Sequence, residues 1–215
     1  MVMKYKHIIW DWNGTLFNDV DACIETMNEL LNKRNLAPIV SRDYYRQIFC
    51  FPVIDYYQKL GFDFNQESFQ DVASEYIERY HDYCTNSSLM PYSLEVIDYL
   101  NQQQIVQTVI SASEQSSLFQ QMEPFKIKDK FSDVIGIKDI YARSKVDLAK
   151  HYFQSNHLNR DEVLFIGDSQ HDYEVSKAIG CDCVLISQGH QSKQRLRELD
   201  AVIINDFKEL IGLIV

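Results

Sequence analysis

Glycine is scarce in this chain of 215 residues, and its seven copies (Gly14, Gly61, Gly136, Gly167, Gly180, Gly189 and Gly212) fall at no spacing that spells GxGxxG or GxxxxGK[ST]. A dinucleotide-binding fingerprint and a P-loop both need glycine to bring backbone N–H groups against phosphate, so both are excluded. Positive charge is also in deficit, with 21 Lys and Arg against 31 Asp and Glu and a net charge of −10. Such a field repels a phosphate backbone, so nucleic acid is not an expected partner, and a phosphate-bearing ligand needs a cation close by. The five cysteines are odd in number and show no C-x-x-C spacing. They read as reduced packing residues of a cytoplasmic protein, not as a disulfide frame or zinc site. No apolar run reaches membrane-spanning length, and none of signal-peptide length follows the first lysines, so no membrane partner is expected.

Hydrophobic residues make up 46% of the chain, enough to build a core for one domain with a sizeable insertion. The apolar run His7 to Trp10 stops at Asp11 and meets Asn13-Gly14, the pattern of a buried strand opening into a turn at its carboxyl end. From Phe17 to Leu89 the spacing is helical, then densely aromatic, with no strand expected. After Pro91 strand and helix alternate. Helix is predicted over Ser93 to Gln102, Gln115 to Met122, Lys145 to Phe153 (with Ser144 as N-cap) and Tyr173 to Ile179. Strands are predicted over Ile105 to Ile110, Asp133 to Ile137, Val163 into the turn at Ser169, Cys183 to Ile186 and, last, Ala201 to Ile204. This alternation predicts an α/β fold with a mostly parallel sheet and helices on both faces.

Ligands of such sheets bind beyond the carboxyl ends of the strands. Asp11, Ser111 and Asp168 are delivered to that edge, and the helical segment leaves the sheet there, placed as a lid. A strand-end carboxylate is costly to bury without a cation or donors. Asp11 and Asp168, with Asp172 on the adjoining turn, form an oxygen-rich cluster suited to Mg²⁺, with water and substrate phosphate completing its shell.

Taken together, Asp11-Trp12-Asn13-Gly14-Thr15, Ser111, Lys145 and Gly167-Asp168-Ser169-Gln170-His171-Asp172 resemble the four motifs of the haloacid dehalogenase superfamily, in family order and across nearly the whole chain. The first and fourth are the specific ones; the second is a lone serine. The helical insertion after the first motif resembles the C1 cap of phosphoglycolate phosphatase-like members. The resemblance implies a Rossmannoid parallel-sheet core, residues 1–16 and 89–215, with an α-helical cap at 17–88. It implies Asp11 as the nucleophile that takes the phosphoryl group, Ser111 and Lys145 as phosphate-binding catalytic groups, and Thr15 as a further phosphate-site residue that helps fix the turn. It implies Mg²⁺ held by Asp11, the backbone carbonyl of Asn13, Asp168 and Asp172, and a small phosphorylated metabolite as substrate.

Two departures from the family pattern stand out. Phosphatases of the family usually carry an acid–base aspartate where this chain has Asn13, and an amide cannot shuttle that proton. The function implied is therefore a Mg²⁺-dependent phosphatase, slowed at this step. Its alternatives are a phosphotransferase or phosphomutase-like enzyme, or a catalytically weak binding or regulatory protein. The third motif reads Arg143-Ser144-Lys145 where many relatives have Lys-Pro, and Lys138 and Lys150 are the competing lysines. Dehalogenase chemistry is disfavoured, because dehalogenases lack a metal-binding fourth motif. His171 is read as an exposed helix-start residue, the aromatics from Tyr44 to Tyr83 as the interior of the lid, and Arg42 and Arg46 as surface charge. The oligomeric state is not encoded in any of these patterns.

Overall fold

The computed structural model describes residues 4–137 and 144–214. Arg143 and the competing Lys138, like the ends of the expected core at 1–3 and 215, lie outside the described residues. The centre of the fold is β1 (His7–Trp10), whose four residues are all buried. Around it β4 (Val106–Glu114), β5 (Asp133–Ile137), β6 (Val163–Gly167), β7 (Asp182–Ile186) and β8 (Val202–Ile204) form a six-stranded sheet in the order β5-β4-β1-β6-β7-β8. Every pairing in this sheet is parallel. The chain builds outward from β1 through β4 and β5, then crosses to β6 on β1's other side. That reversal places a crevice at the carboxyl end of β1.

Strand alternation sends successive side chains to opposite faces. Ile8, Trp10, Leu164 and Ile166 pack with α5 (Ser93–Gln102), α6 (Gln115–Met122) and α10 (Phe207–Ile214). Ile9, Val163 and Phe165 pack with α7 (Lys145–Ser155) and α8 (Gln170–Ile179). The inserted helices α1 (Val20–Lys33), α2 (Arg42–Ile48), α3 (Val53–Lys59) and α4 (Phe69–Cys84) close around a separate apolar cluster that includes Met27, Leu30, Tyr45, Tyr57 and Val72. Among the described residues no helix is long and apolar enough to cross a membrane.

Local chemistry explains most element ends. Ser144 caps α7 as expected, accepting from the backbone N–H of Asp147. α8 begins three residues before its predicted start because Ser169 and Asp172 form a reciprocal capping box, and it stops at Gly180, whose φ of 79° suits a left-handed terminator. Three expectations are corrected. β4 runs past Ser111 to Glu114, through a register shift after Ile110 that lets it bend beside the crevice. The segment read as strandless contains an antiparallel ribbon at its two ends, β2 (Phe17–Asn18) on β3 (Ser88–Leu89), too short to show a period of two. The chain does not finish at its last strand: α10 follows, burying Phe207, Leu210 and Ile214.

Below the sheet's opposite end a buried polar chain links three strands and a helix. The ring of His7 bonds Thr108 Oγ1 at 3.0 Å, Thr108 bonds the Tyr152 hydroxyl at 2.8 Å, and Tyr152 donates to Asp133 at 3.1 Å. Burial pulls the His7 pKa from 6.5 to about 4, against a weaker opposing pull from Asp133. The folded state therefore holds His7 neutral, and its contribution is complete above pH 6.5. As pH falls from there toward 4 the unfolded chain takes up the proton alone, costing up to ~1.4 kcal/mol per pH unit. Urea unfolding at pH 7 and pH 5 should show a steeper stability loss in the native chain than in His7→Gln; equal losses would refute the assignment.

Candidate active site

The crevice is built from four chain segments that meet at the carboxyl edge. Asp11 leaves β1 with its N–H bonded to the Ile166 carbonyl at 2.8 Å, so the parallel ladder itself fixes the position of the carboxylate. Thr15 closes the turn: it is fully buried and its hydroxyl donates to Asp11 Oδ2 at 2.9 Å. The hydroxyl is thus committed to aiming Asp11. Lys145, at the first position of α7, is 2% exposed. Its ammonium donates to Asp11 Oδ1 and to Asp172 Oδ1, the latter at 2.5 Å. Of its competitors, Lys150 is exposed on α7.

Asp172 is braced on its other oxygen, which accepts from the N–H groups of Asp168 and Ser169 at 3.1 and 3.0 Å and from the Ser169 hydroxyl at 2.6 Å. Asp168 accepts from the backbone N–H of His190, and Ser111 and Lys145 line the same cavity. Three of the seven glycines make this packing possible. A Cβ at Gly14 would meet the Asp168 carboxylate and the His190 ring, one at Gly189 would meet Asp168 and the Gly14 carbonyl, and one at Gly167 would meet Asp172. Gly14 also has φ of 73°, which few other residues adopt.

The charges do not balance. Ligand oxygens of Asp11, Asp168 and Asp172 lie within 4.8 Å of one another, all buried, with one lysine among them. Burial would pull Lys145 down, but Asp11 and Asp172 outweigh it and hold the ammonium charged. Burial would likewise raise Asp172, and Lys145 reverses this and keeps it low. Asp11 stays pushed up to about 6 by burial, against Lys145 and with Asp172 adding to the rise. Asp168 is pushed well above the usual carboxylate range by burial, reinforced by the neighbouring Asp172 and Asp11 charges and opposed by His190. An all-oxygen donor set with surplus negative charge fits a hard divalent cation. Asp11, Asp168, Asp172 and the Asn13 carbonyl, which receives no hydrogen bond among the described residues, are the groups that could hold it. Asp172 is better placed to brace Lys145 and the Asp168 backbone.

Several neighbours of Asn13 carry little signal in sequence. The Asn13 amide donates to Asp19 Oδ2 and to the Tyr80 hydroxyl, both at 3.0 Å, and its oxygen accepts from Ser113 Oγ at 2.7 Å. Tyr80 donates to the same Asp19 oxygen at 2.6 Å, Gly14 N–H to the other at 2.8 Å, and His190 Nε2 lies 3.3 Å from Asp19 Oδ1. Burial would raise Asp19, but His190 and these donors hold it low; burial would lower His190, but Asp19 lifts it to about 9. Asp19 immediately precedes α1 but its side chain caps no N–H of that helix. His190 follows a strand at the productive edge, the one clue that was available. The loop carrying His190 also fastens the insertion: its other nitrogen bonds Tyr45 Oη at 2.8 Å, and Arg46 donates to the carbonyls of Gly189 at 2.8 Å and Gln188 at 2.5 Å.

Arg46 is thus a half-buried strap, while Arg42 is exposed and paired with Asp21. His171 is half-buried, its ring 4.9 Å from that of Phe51 and its pKa lowered chiefly by burial, so the expectation of an exposed imidazole fails. The cavity has a volume of about 470 Å³ and extends from Asp11 into the insertion, whose aromatics line it as well as filling its interior.

Lys145→Met is expected to destabilise the fold by about 3–5 kcal/mol, because it strands Asp11 and Asp172 as buried charges without their shared cation. Denaturant unfolding at neutral pH measures this, and an unchanged midpoint would contradict the role given to Lys145.

Residues 8–186 match the family described as haloacid dehalogenase-like hydrolase. The chain is similar to the phosphoglycolate phosphatase of Haemophilus influenzae, 24% identical over 225 residues and covering 100% of both chains. Its fold is similar to a crystal structure provisionally assigned as phosphoglycolate phosphatase from Lactobacillus delbrueckii subsp. bulgaricus, with TM-score 0.81, 20% identity and 99% of each chain covered. It is also similar in fold to protein tyrosine kinase A of Mycobacterium tuberculosis, with TM-score 0.80, 20% identity and 98% of each chain covered.

Proposed function

The chain belongs to the haloacid dehalogenase-like hydrolases, and from that membership we propose that it is a Mg²⁺-dependent phosphatase of a small phosphorylated metabolite, with residues 17–88 as a helical cap over a core of 1–16 and 89–215. The observation that carries this reading is the buried ammonium of Lys145 shared by Asp11 and Asp172, with Asp168 in the same cluster. The free cysteines support a reducing, cytoplasmic setting.

Asp11, aimed by Thr15, attacks phosphorus; the bond to the leaving oxygen breaks and an aspartyl-phosphate forms, which water then cleaves. Lys145 and the Ser111 hydroxyl hold the phosphoryl oxygens, Lys145 also screening the approach of an anion to Asp11. Mg²⁺, held by Asp11, Asp168 and the Asn13 carbonyl, would supply charge stabilisation for the transferring group. Asn13 cannot protonate the leaving group or deprotonate water. Loss of such a general acid–base costs roughly 10²–10⁴ in rate, so esters with good leaving groups suffer least. Because the amide is pinned away from proton transfer, a second reading is phosphoryl transfer to an acceptor more nucleophilic than water; a third is ligand binding with little turnover.

Phosphate release from p-nitrophenyl phosphate is expected with Mg²⁺, and is expected to vanish on chelation and in Asp11→Asn. Turnover that survives either change, or no turnover in the native chain, sinks the hydrolase reading. Phosphoryl transfer exceeding hydrolysis when acceptor alcohols are added would favour the second.

Restoring the acid needs two changes. In Asn13→Asp a carboxylate replaces the amide that donates to buried Asp19, leaving two carboxylates face to face, so little rate is gained. Asn13→Asp combined with Asp19→Asn restores a donor and should recover roughly 10²–10⁴ in kcat. Steady-state kinetics of the three proteins decide it; a full gain from the single variant would show that Asp19 imposes no constraint.

A further inference from the structure

The cavity wall above the reaction centre has a definite chemical character. On the insertion side it is formed by rings, among them Phe49, Phe51, Tyr56, Tyr57, Phe69 and Tyr76. Among the described residues the only Lys or Arg that lines it is Lys145, whose ammonium is already shared by Asp11 and Asp172. Arg42 and Arg46 face elsewhere, on Asp21 and on the Gly189 and Gln188 carbonyls. His190 is bound to Asp19 and Tyr45, and His171 rests against Phe51. That leaves the His81 imidazole, which shares the lining with the carboxylates of Asp19 and Glu114.

An anionic leaving group would lose its hydration against these rings and find no ammonium or guanidinium free to pair with it, which is unfavourable. A neutral ring would stack on the aromatic wall and remove apolar area from water.

Building on the phosphatase reading, we propose that the substrate is a phosphate monoester whose leaving group is an uncharged, ring-bearing alcohol, and not a carboxylate-bearing one such as 2-phosphoglycolate. The phosphate sits at Asp11, Ser111 and Lys145, and the ring lies in the aromatic chamber of the insertion.

Benzyl phosphate, ethyl phosphate and 2-phosphoglycolate all release primary alcohols, so differences among them report on the chamber more than on leaving-group chemistry. In the presence of Mg²⁺, kcat/KM for benzyl phosphate is expected to exceed the other two by roughly ten- to a hundredfold. Ile77 lies in the lining and is 55% exposed, so Ile77→Arg adds a cation without opening the core. It should narrow the benzyl to phosphoglycolate ratio about tenfold. A second arm needs no turnover: with Mg²⁺, thermal stabilisation by 2-phenylethylphosphonate should exceed that by 3-phosphonopropionate and 2-aminoethylphosphonate. If no ester is hydrolysed but this order holds, the substrate class stands and hydrolysis falls. Phosphoglycolate turnover equal to or above benzyl phosphate, stronger stabilisation by either charged phosphonate, or none by any of the three, overturns the proposal.

Discussion

The site depends on one buried cation. Lys145 holds two carboxylates that come from different parts of the chain, Asp11 at the end of β1 and Asp172 in the first turn of α8. Neither could stay ionised there alone, since burial raises both. Asp172 in turn orders the backbone that presents Asp168, and Asp11 is steadied by Thr15. A single ammonium at a helix start therefore ties together the three segments that make up the reaction centre. It leaves the cluster negative, and under the proposed reading that surplus would draw in a metal, through which a chain of net charge −10 could still take a phosphate ester.

Much of this was legible in the chain because strand ends announce themselves. A buried apolar run that stops at aspartate can be seen without a structure, and both Asp11 and Asp168 were found that way; Ser144 likewise marked the start of α7 and so the place of Lys145. What escaped notice was set by tertiary contact. Asp19 is an ordinary helix-preceding residue until Asn13, Gly14, Tyr80 and His190 converge on it. The aromatics of the insertion have helical spacing, which fits an interior equally well as a chamber wall; several turn out to be both, since a small helical unit has too little volume to keep the two apart. The β2 and β3 ribbon escaped because pairs of two residues have no periodicity to read.

Asn13 is the place where the chain departs from its family, and the departure is not isolated. An aspartate at this position would sit beside a second buried carboxylate; an amide instead offers Asp19 a donor and accepts from Ser113. Asn13, Asp19 and Tyr80 form one hydrogen-bonded unit, so the residue at position 13 is matched to partners contributed by the residue preceding α1 and by α4. Under the proposed reading, the missing proton shuttle and this hydrogen-bonded unit go together, since the amide that cannot transfer a proton is the one that serves Asp19 as a donor.

The loop from Gln188 to His190 joins access and chemistry mechanically. One of its N–H groups holds Asp168, and its carbonyls and imidazole hold Arg46 and Tyr45 of the insertion. Under the proposed reading, a cap fastened to the loop whose His190 N–H holds Asp168 would not lift as an independent flap. Its opening would pull on the backbone that bonds Asp168, so that the state admitting a substrate and the state transforming it would differ in the centre itself as well as in the doorway.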